Sequence, residues 1–241
     1  MTISILAYDE KTGLMGGAAA TGSLCVGGWV LRGDADSGMS ASQGTAPSTL
    51  WGDGVLRLMR DGAPASDAVE RMVAPDTGRA HRQLAALDPR GGTGAHTGVE
   101  SVAYAGEAFA PGVVVAGNML TGPEVIETAL ARYLGAADRP FAERLLVALD
   151  GAAQAGGDAR GLKSAALLVV SRRAAPLTLR IDHSDRPLAA LGDLYRVAHA
   201  DPYFGWTKVV PVLDDPYRAP PSEAVPEVPE PIIEASPAVK R

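Results

Sequence analysis

The segment LMGGAAAT at residues 14–21 constrains this chain more than any other. From Gly16 to Ala20 no side chain is larger than a methyl group. A strand of that kind holds only where its neighbours approach closely, because it has little apolar surface of its own to bury. It is preceded by TISILAY at 2–8, Ile-rich and alternating in polarity at first, and by the turn DEKTG at 9–13. Further strands are expected at 24–31 (LCVGGWVL) and 37–43 (SGMSASQ). Consecutive strands joined by short turns describe an antiparallel meander rather than a βαβ unit. Composition agrees. Aromatics are 5% of the chain while Gly (28) and Pro (18) are abundant, so the interior is built from Ala, Val and Leu between tight turns.

Helical spacing takes over at 48–60 and 65–73, with Val55, Leu58 and Met59, then Ala65, Ala68, Val69 and Met72 on one side. Strands return at 83–87, 100–104 and 112–116. Thr121 and Glu124 have capping-box spacing, so a helix is expected from Thr121 to Gly135, followed by another over 140–154. Strands at 164–171 and 177–182 and a helix near 187–198 complete the pattern. Strands, then helices, then strands describe α+β layers with helices over the sheet faces.

From Asp214 the composition changes. Seven prolines (216, 220, 221, 226, 229, 231, 237) alternate with acidic and small residues, too few of them apolar to offset the entropy of ordering. Residues 1–213 are therefore expected to form one domain, and 214–241 a proline-rich acidic tail without fixed structure. Hydrophobic residues at 46% and charged residues at 21% support a buried core. The net charge of −6 argues against nucleic-acid and anionic-membrane partners. No apolar run is long enough to span a bilayer, and Met1-Thr2-Ile3-Ser4-Ile5 has no leader pattern, so a soluble cytoplasmic protein is expected.

One cysteine, Cys25, excludes a disulfide framework, and His81, His96, His183 and His199 form no metal-spaced pair; no metal or cofactor is expected. Phosphate-loop, dinucleotide and serine-elbow motifs are absent, and RGGTGAHTG at 90–98 is better read as a hairpin turn. Cys25 lies between Leu24 and Val26, a setting that suits a small hydrophobe more than a reactive thiol. Thr2 is the sharper candidate. A small second residue favours removal of Met1, which leaves Thr2 a free α-amine of ordinary pKa about 7.7–8.0. That amine takes the hydroxyl proton as the oxygen attacks a carbonyl, so one residue supplies nucleophile and base.

Several longer pieces, in order, carry a resemblance: MTISILAYDEKTG (1–13), SASQGTAPSTLWGDGVLRLMRDG (40–62), DTGRAHRQLAALDPRGGTGAHTG (76–98), GNMLTGPEVIETA (117–129) and GGDARGLKSAALLVV (156–170). Together they resemble the DUF1028 family, which is grouped with the N-terminal nucleophile hydrolases. The resemblance implies a four-layer αββα sandwich with two antiparallel sheets between helices. It places Thr2 at the head of a central strand and implies hydrolysis of an amide-like, non-peptide C–N bond of a small molecule through an acyl ester. Asn118 and Gln43 are then candidate donors to the oxyanion, and Asp158 a group to orient the amine. Ser23, Arg82 and Lys163 are candidate substrate contacts.

Two departures stand out. Thr21-Gly22 occupies the place where the family usually carries Ser followed by Lys or His, and the strand lacks the carboxylate of proteasome-type members. Two other readings follow: a non-catalytic small-molecule binding protein, and a hydrolase using Cys25. Layers of small side chains also suit a homodimer.

Overall fold

A computed structural model of the chain describes residues 2–102, 104–157 and 161–221. Strands β1 (Thr2–Asp9) and β2 (Leu14–Thr21) form the expected hairpin, with Thr2 opposite Thr21. One helical turn, α1 (Val26–Trp29), leads into β3 (Leu31–Asp34) and β4 (Gly38–Gly44). Helices α2 (Thr49–Arg60) and α3 (Ala65–Val73) precede β5 (Arg82–Leu87), β6 (Thr93–Thr97), β7 (Gly106–Ala110) and β8 (Val113–Asn118). Helices α4 (Glu124–Gly135) and α5 (Phe141–Gln154) follow, then β9 (Ser164–Val170) and β10 (Leu177–Ile181), α6 (Pro187–Ala198) and α7 (Tyr203–Thr207). The strands form two antiparallel sheets, ordered β10-β9-β2-β1-β8-β7 and β3-β4-β5-β6.

Strand parity converts that order into layers. Ile3, Ile5 and Ala7 of β1 point to one face and pack with Leu145 and Leu149 of α5, Val125 of α4 and Leu191 of α6. Leu6 points to the other face and meets Met39, Ala41, Ala85 and Leu87 of the smaller sheet. The far face of that sheet, through Leu84 and Ala86, packs on Trp51, Val55 and Met59 of α2 and on Val69 of α3. Three apolar interfaces between four layers make the αββα sandwich. Truncating a fully buried leucine such as Leu145 to Ala is expected to cost about 2–5 kcal/mol. The small residues of β2 follow from the closeness of the layers: a Cβ on Gly16 would lie 2.9 Å from the Leu168 carbonyl and from the Phe141 ring.

Four local expectations are corrected. Residues 24–31 are not one strand: Cys25 adopts φ 59°, in the left-handed region, and turns the chain into α1 before β3 begins at Leu31. Residues 100–102 and 104 belong to no strand where one was expected at 100–104, and edge strands β6 and β7, whose sequences TGAHT and GEAFA are short of apolar residues, lie on either side. The turn of the β5–β6 hairpin is confined to Asp88–Gly92, closed by Asp88 N–H to the Gly92 carbonyl at 2.8 Å. Helix α4 starts at Glu124 behind Pro123, whose ring holds a φ already suited to a helix start, so Thr121 caps nothing. Helices lie on only one face of each sheet, because the sheets cover each other.

The chain beyond α7 stays attached as far as Arg218. Arg172 Nε donates to Asp214 Oδ1 at 2.8 Å, and Arg218 Nη1 donates to the Lys208 carbonyl at 3.2 Å. Most of the proline-rich tail, 222–241, lies outside the described residues. No helix among the described residues is long and apolar enough to cross a membrane.

Candidate active site

Register and parity converge on one end of the inter-sheet layer. Thr2 stands opposite Thr21 on one side and Asn118 on the other, so all three side chains project from the same face toward the smaller sheet. From that sheet Gln43 and Gln83, paired across β4 and β5, project back. The apolar filling of the layer thus gives way to hydroxyls and amides at this end.

Thr2 is half-buried, and its Oγ1 lies 3.0 Å from Thr21 Oγ1. Thr21 Oγ1 also accepts from the Ser23 N–H at 3.3 Å. These side chains open into a cavity of about 410 Å³ that Ser23, Trp29, Gln43 and Met119 also line. Ser164 pins the loop beneath it: its hydroxyl donates to the Ser23 carbonyl at 2.8 Å and accepts the Val26 N–H at 3.1 Å. Cys25 and Met119 are the non-glycine residues with left-handed φ among those described, at 59° and 54°. One lies in the loop that borders the cavity and the other lines it, so unfavourable backbone is concentrated here.

Behind Thr2 the amides form a buried cluster around Gln83. Gln83 Oε1 accepts from Gln43 Nε2 at 2.7 Å and from Asn118 Nδ2 at 3.1 Å. Gln83 Nε2 lies 2.8 Å from Thr97 Oγ1, 2.9 Å from the Gly117 carbonyl and 3.1 Å from the Gly106 carbonyl. Gln43 Nε2 spends its other proton on the Ala116 carbonyl at 3.2 Å. Turning the Gln43 amide over would set its oxygen against two acceptors, so its orientation is determined. Gln43 Oε1 and Asn118 Oδ1 are buried with no partner among the described residues. Each unmet acceptor costs about 1–3 kcal/mol, and two of them lie together at this end of the layer.

The candidates from sequence separate accordingly. Thr2, Ser23 and Gln43 share the cavity, and Asn118 stands beside Thr2. Asn118 Nδ2 keeps a proton beyond the one given to Gln83, whereas Gln43 Nε2 has both protons engaged within the protein. Arg82 does not line the cavity; it pairs with Asp76 at 2.6 Å. Lys163 pairs with Asp185 at 2.6 Å and serves the site only through its backbone N–H, which donates to the Thr21 carbonyl at 2.8 Å. Asp158 lies outside the described residues. Cys25 is half-buried and absent from the cavity wall, its backbone N–H bonded to the Asp182 carbonyl at 3.0 Å. Gln83 escaped sequence analysis, although a polar residue on the inward parity of RQLAAL was a signal that could have found it. Among the described residues no cluster of His, Cys, Asp or Glu suits a metal ion.

The fold and site together describe a layered α+β protein with a threonine at the head of its central strand, opening into a cleft of hydroxyls and amides. Residues 2–191 match the profile of a family described as a family of unknown function, DUF1028, and the chain belongs to that family. A protein from Silicibacter pomeroyi, SPO2555, whose crystal structure carries the same family label, is 49% identical. It superposes with a TM-score of 0.86 over 90% of this chain and 98% of that one. No curated protein matches the chain.

Proposed function

We propose that this protein is an N-terminal nucleophile hydrolase that cleaves an amide-like C–N bond of a small molecule, with Thr2 as nucleophile. One observation carries the reading: Thr2 heads a central strand and directs its hydroxyl into an inter-sheet cleft, 3.0 Å from a second hydroxyl and beside a buried amide. Removal of whatever precedes Thr2 leaves a free α-amine. That amine accepts the Oγ1 proton as Oγ1 bonds to the substrate carbonyl carbon, and the remaining Nδ2 proton of Asn118 stabilises the oxyanion. The C–N bond then breaks, the amine leaves with the proton, and water hydrolyses the Thr2 ester to free acid and hydroxyl. Thr21 orients the attacking hydroxyl, taking the place of the basic residue that Gly22 does not provide.

The test uses an electrophile that needs no knowledge of the substrate. A β-lactone incubated with the intact protein is expected to add its full mass through an ester on Thr2, the ring oxygen taking the proton. Labelling is expected to rise with pH through about 8 as the amine loses its proton. Intact mass showing residues retained before Thr2 would overturn the reading, as would equal labelling of Thr2→Ala.

A second reading, a non-catalytic binding protein using the same cleft, draws on Gly22 and on the ion pairs that hold Arg82 and Lys163 elsewhere. It predicts ligand-induced thermal stabilisation that survives Thr2→Ala and no lactone adduct.

A further inference from the structure

A second cavity, of about 460 Å³, opens at the other end of β2. Leu14 begins that strand and lines the second cavity, while Thr21 ends it and lines the first. At about 3.3 Å per residue the two sites are roughly 23 Å apart. Nothing in the proposed hydrolysis uses the second one.

Its walls have a definite chemistry. Leu14, Phe141, Val169 and Leu177 supply apolar surface. Tyr195, His199 and Phe204 form a run of tilted rings, with centroids 4.1 Å and 5.2 Å apart in succession. Arg173, Lys208 and Arg218 also line the cavity, and no Asp or Glu does so among the described residues. In a chain of net charge −6, three cations around an apolar hollow run against the average of the molecule. The three differ in what they leave available. Arg218 pairs with Asp215 at 3.0 Å, and the Lys208 ammonium rests 4.1 Å from the centroid of the Phe204 ring. Arg173 makes no side-chain hydrogen bond or ion pair among the described residues, so its guanidinium keeps its full donor capacity.

We propose that this cavity binds a small amphipathic carboxylate. Its size falls in the range of small-molecule sites, about 300–1,000 Å³, and such sites are mainly apolar with a few placed polar groups. The ligand's apolar body packs against Phe141, Val169 and Leu177, and its carboxylate meets Arg173, with Lys208 adding charge. A neutral ligand would leave the guanidinium unanswered, and a cationic one would be repelled.

The proposal is tested by calorimetric titration of the full chain with 4-phenylbutyrate and with its neutral isostere 4-phenylbutanamide. The carboxylate is expected to bind at least tenfold more tightly than the amide, and less tightly as sodium chloride is raised. Arg173→Glu, an exposed change whose fold is checked by melting temperature, is expected to weaken carboxylate binding at least tenfold. Arg173→Lys is expected to retain most of it, and Thr2→Ala all of it, which separates this site from the Thr2 cleft. Equal affinity for acid and amide, no heat at millimolar ligand, or an Arg173→Glu variant that binds as well as the parent would overturn it. So would loss of binding in Thr2→Ala.

Discussion

The two ends of the sandwich are both polar, and they are polar in different ways. At the Thr2 end the side chains are neutral: Thr2, Thr21, Asn118, Gln43 and Gln83, the amides bonded to one another and to strand carbonyls. At the opposite end, where β4 begins and β5 stops, the groups are carboxylates bound to turn backbone. Asp88 is buried and accepts the N–H groups of Ala65, Arg90 and Gly92 at 3.0, 2.9 and 3.1 Å. Asp34 likewise accepts from Asp36 N–H and Ser37 N–H at 3.0 and 2.8 Å. Charge at one end is consumed in closing turns, whereas the neutral end leaves acceptors unmet and a hydroxyl facing a cavity. Polar burial by itself does not mark a site; at the Thr2 end it is joined to unmet acceptors and a cavity.

The contrast breaks most visibly at Thr2. Thr2→Ala is expected to lower turnover or lactone labelling a thousandfold or more, with little change in melting temperature, while Thr2→Ser retains labelling. A loss of folding in place of a loss of labelling would make the two ends alike. Gln83→Ala acts on the same end through stability: it strands the Gln43 and Asn118 amide protons and the Gly117 carbonyl. A loss of about 3 kcal/mol is expected, or roughly 6–12 °C in Tm, measured by calorimetry. Ser164→Ala removes both hydrogen bonds that hold the 23–26 loop and is expected to cost about 1–2 kcal/mol, with faster amide exchange at Val26 as the readout.

The smallest effect belongs to the charged end. Burial alone would raise the Asp34 pKa, yet the hydrogen bonds from Ser37, Arg60 and Asp36 outweigh it and hold the carboxyl below its ordinary 3.8. A lowered folded value means the stabilisation is present above the unfolded pKa and disappears as pH falls through the folded one. Asp34→Asn is therefore expected to lower Tm by about 1–3 °C at pH 7, and the difference is expected to shrink progressively as pH falls below 3.8. The Arg60–Asp34 pair is half exposed, which keeps the effect small and sensitive to salt.

Much of this was legible beforehand where a single element's pattern decided it. Helices α2, α3, α5 and α6 start and stop within a residue of expectation, because their buried residues recur at helical spacing and proline precedes α3 and α5 or opens α6. The 24–31 segment was misread because LCVGGWVL is apolar enough for a strand. Only the left-handed turn at Cys25, with Ser164 holding the loop, makes it helical. Arg82 and Lys163 were placed in the site by charge alone, and their nearest acids, Asp76 and Asp185, claimed them.

The small residues of β2 and the alternation in β1 were enough to require closely packed layers and to set Thr2 and Leu6 on one face and Ile3 and Ile5 on the other. That follows from backbone geometry, since side chains alternate along a strand whatever lies around it. Which face meets which partner is a different matter. Gln43 and Gln83 are 40 residues apart, and Asn118 is 35 beyond Gln83; nothing local joins them. They meet because the second sheet packs across the first, and that choice minimises exposed apolar area over the whole chain. The choice of Thr2 as the proposed nucleophile rested on one residue and its neighbours in sequence. Its cleft, its amide cluster and the second cavity exist only once the layers have closed.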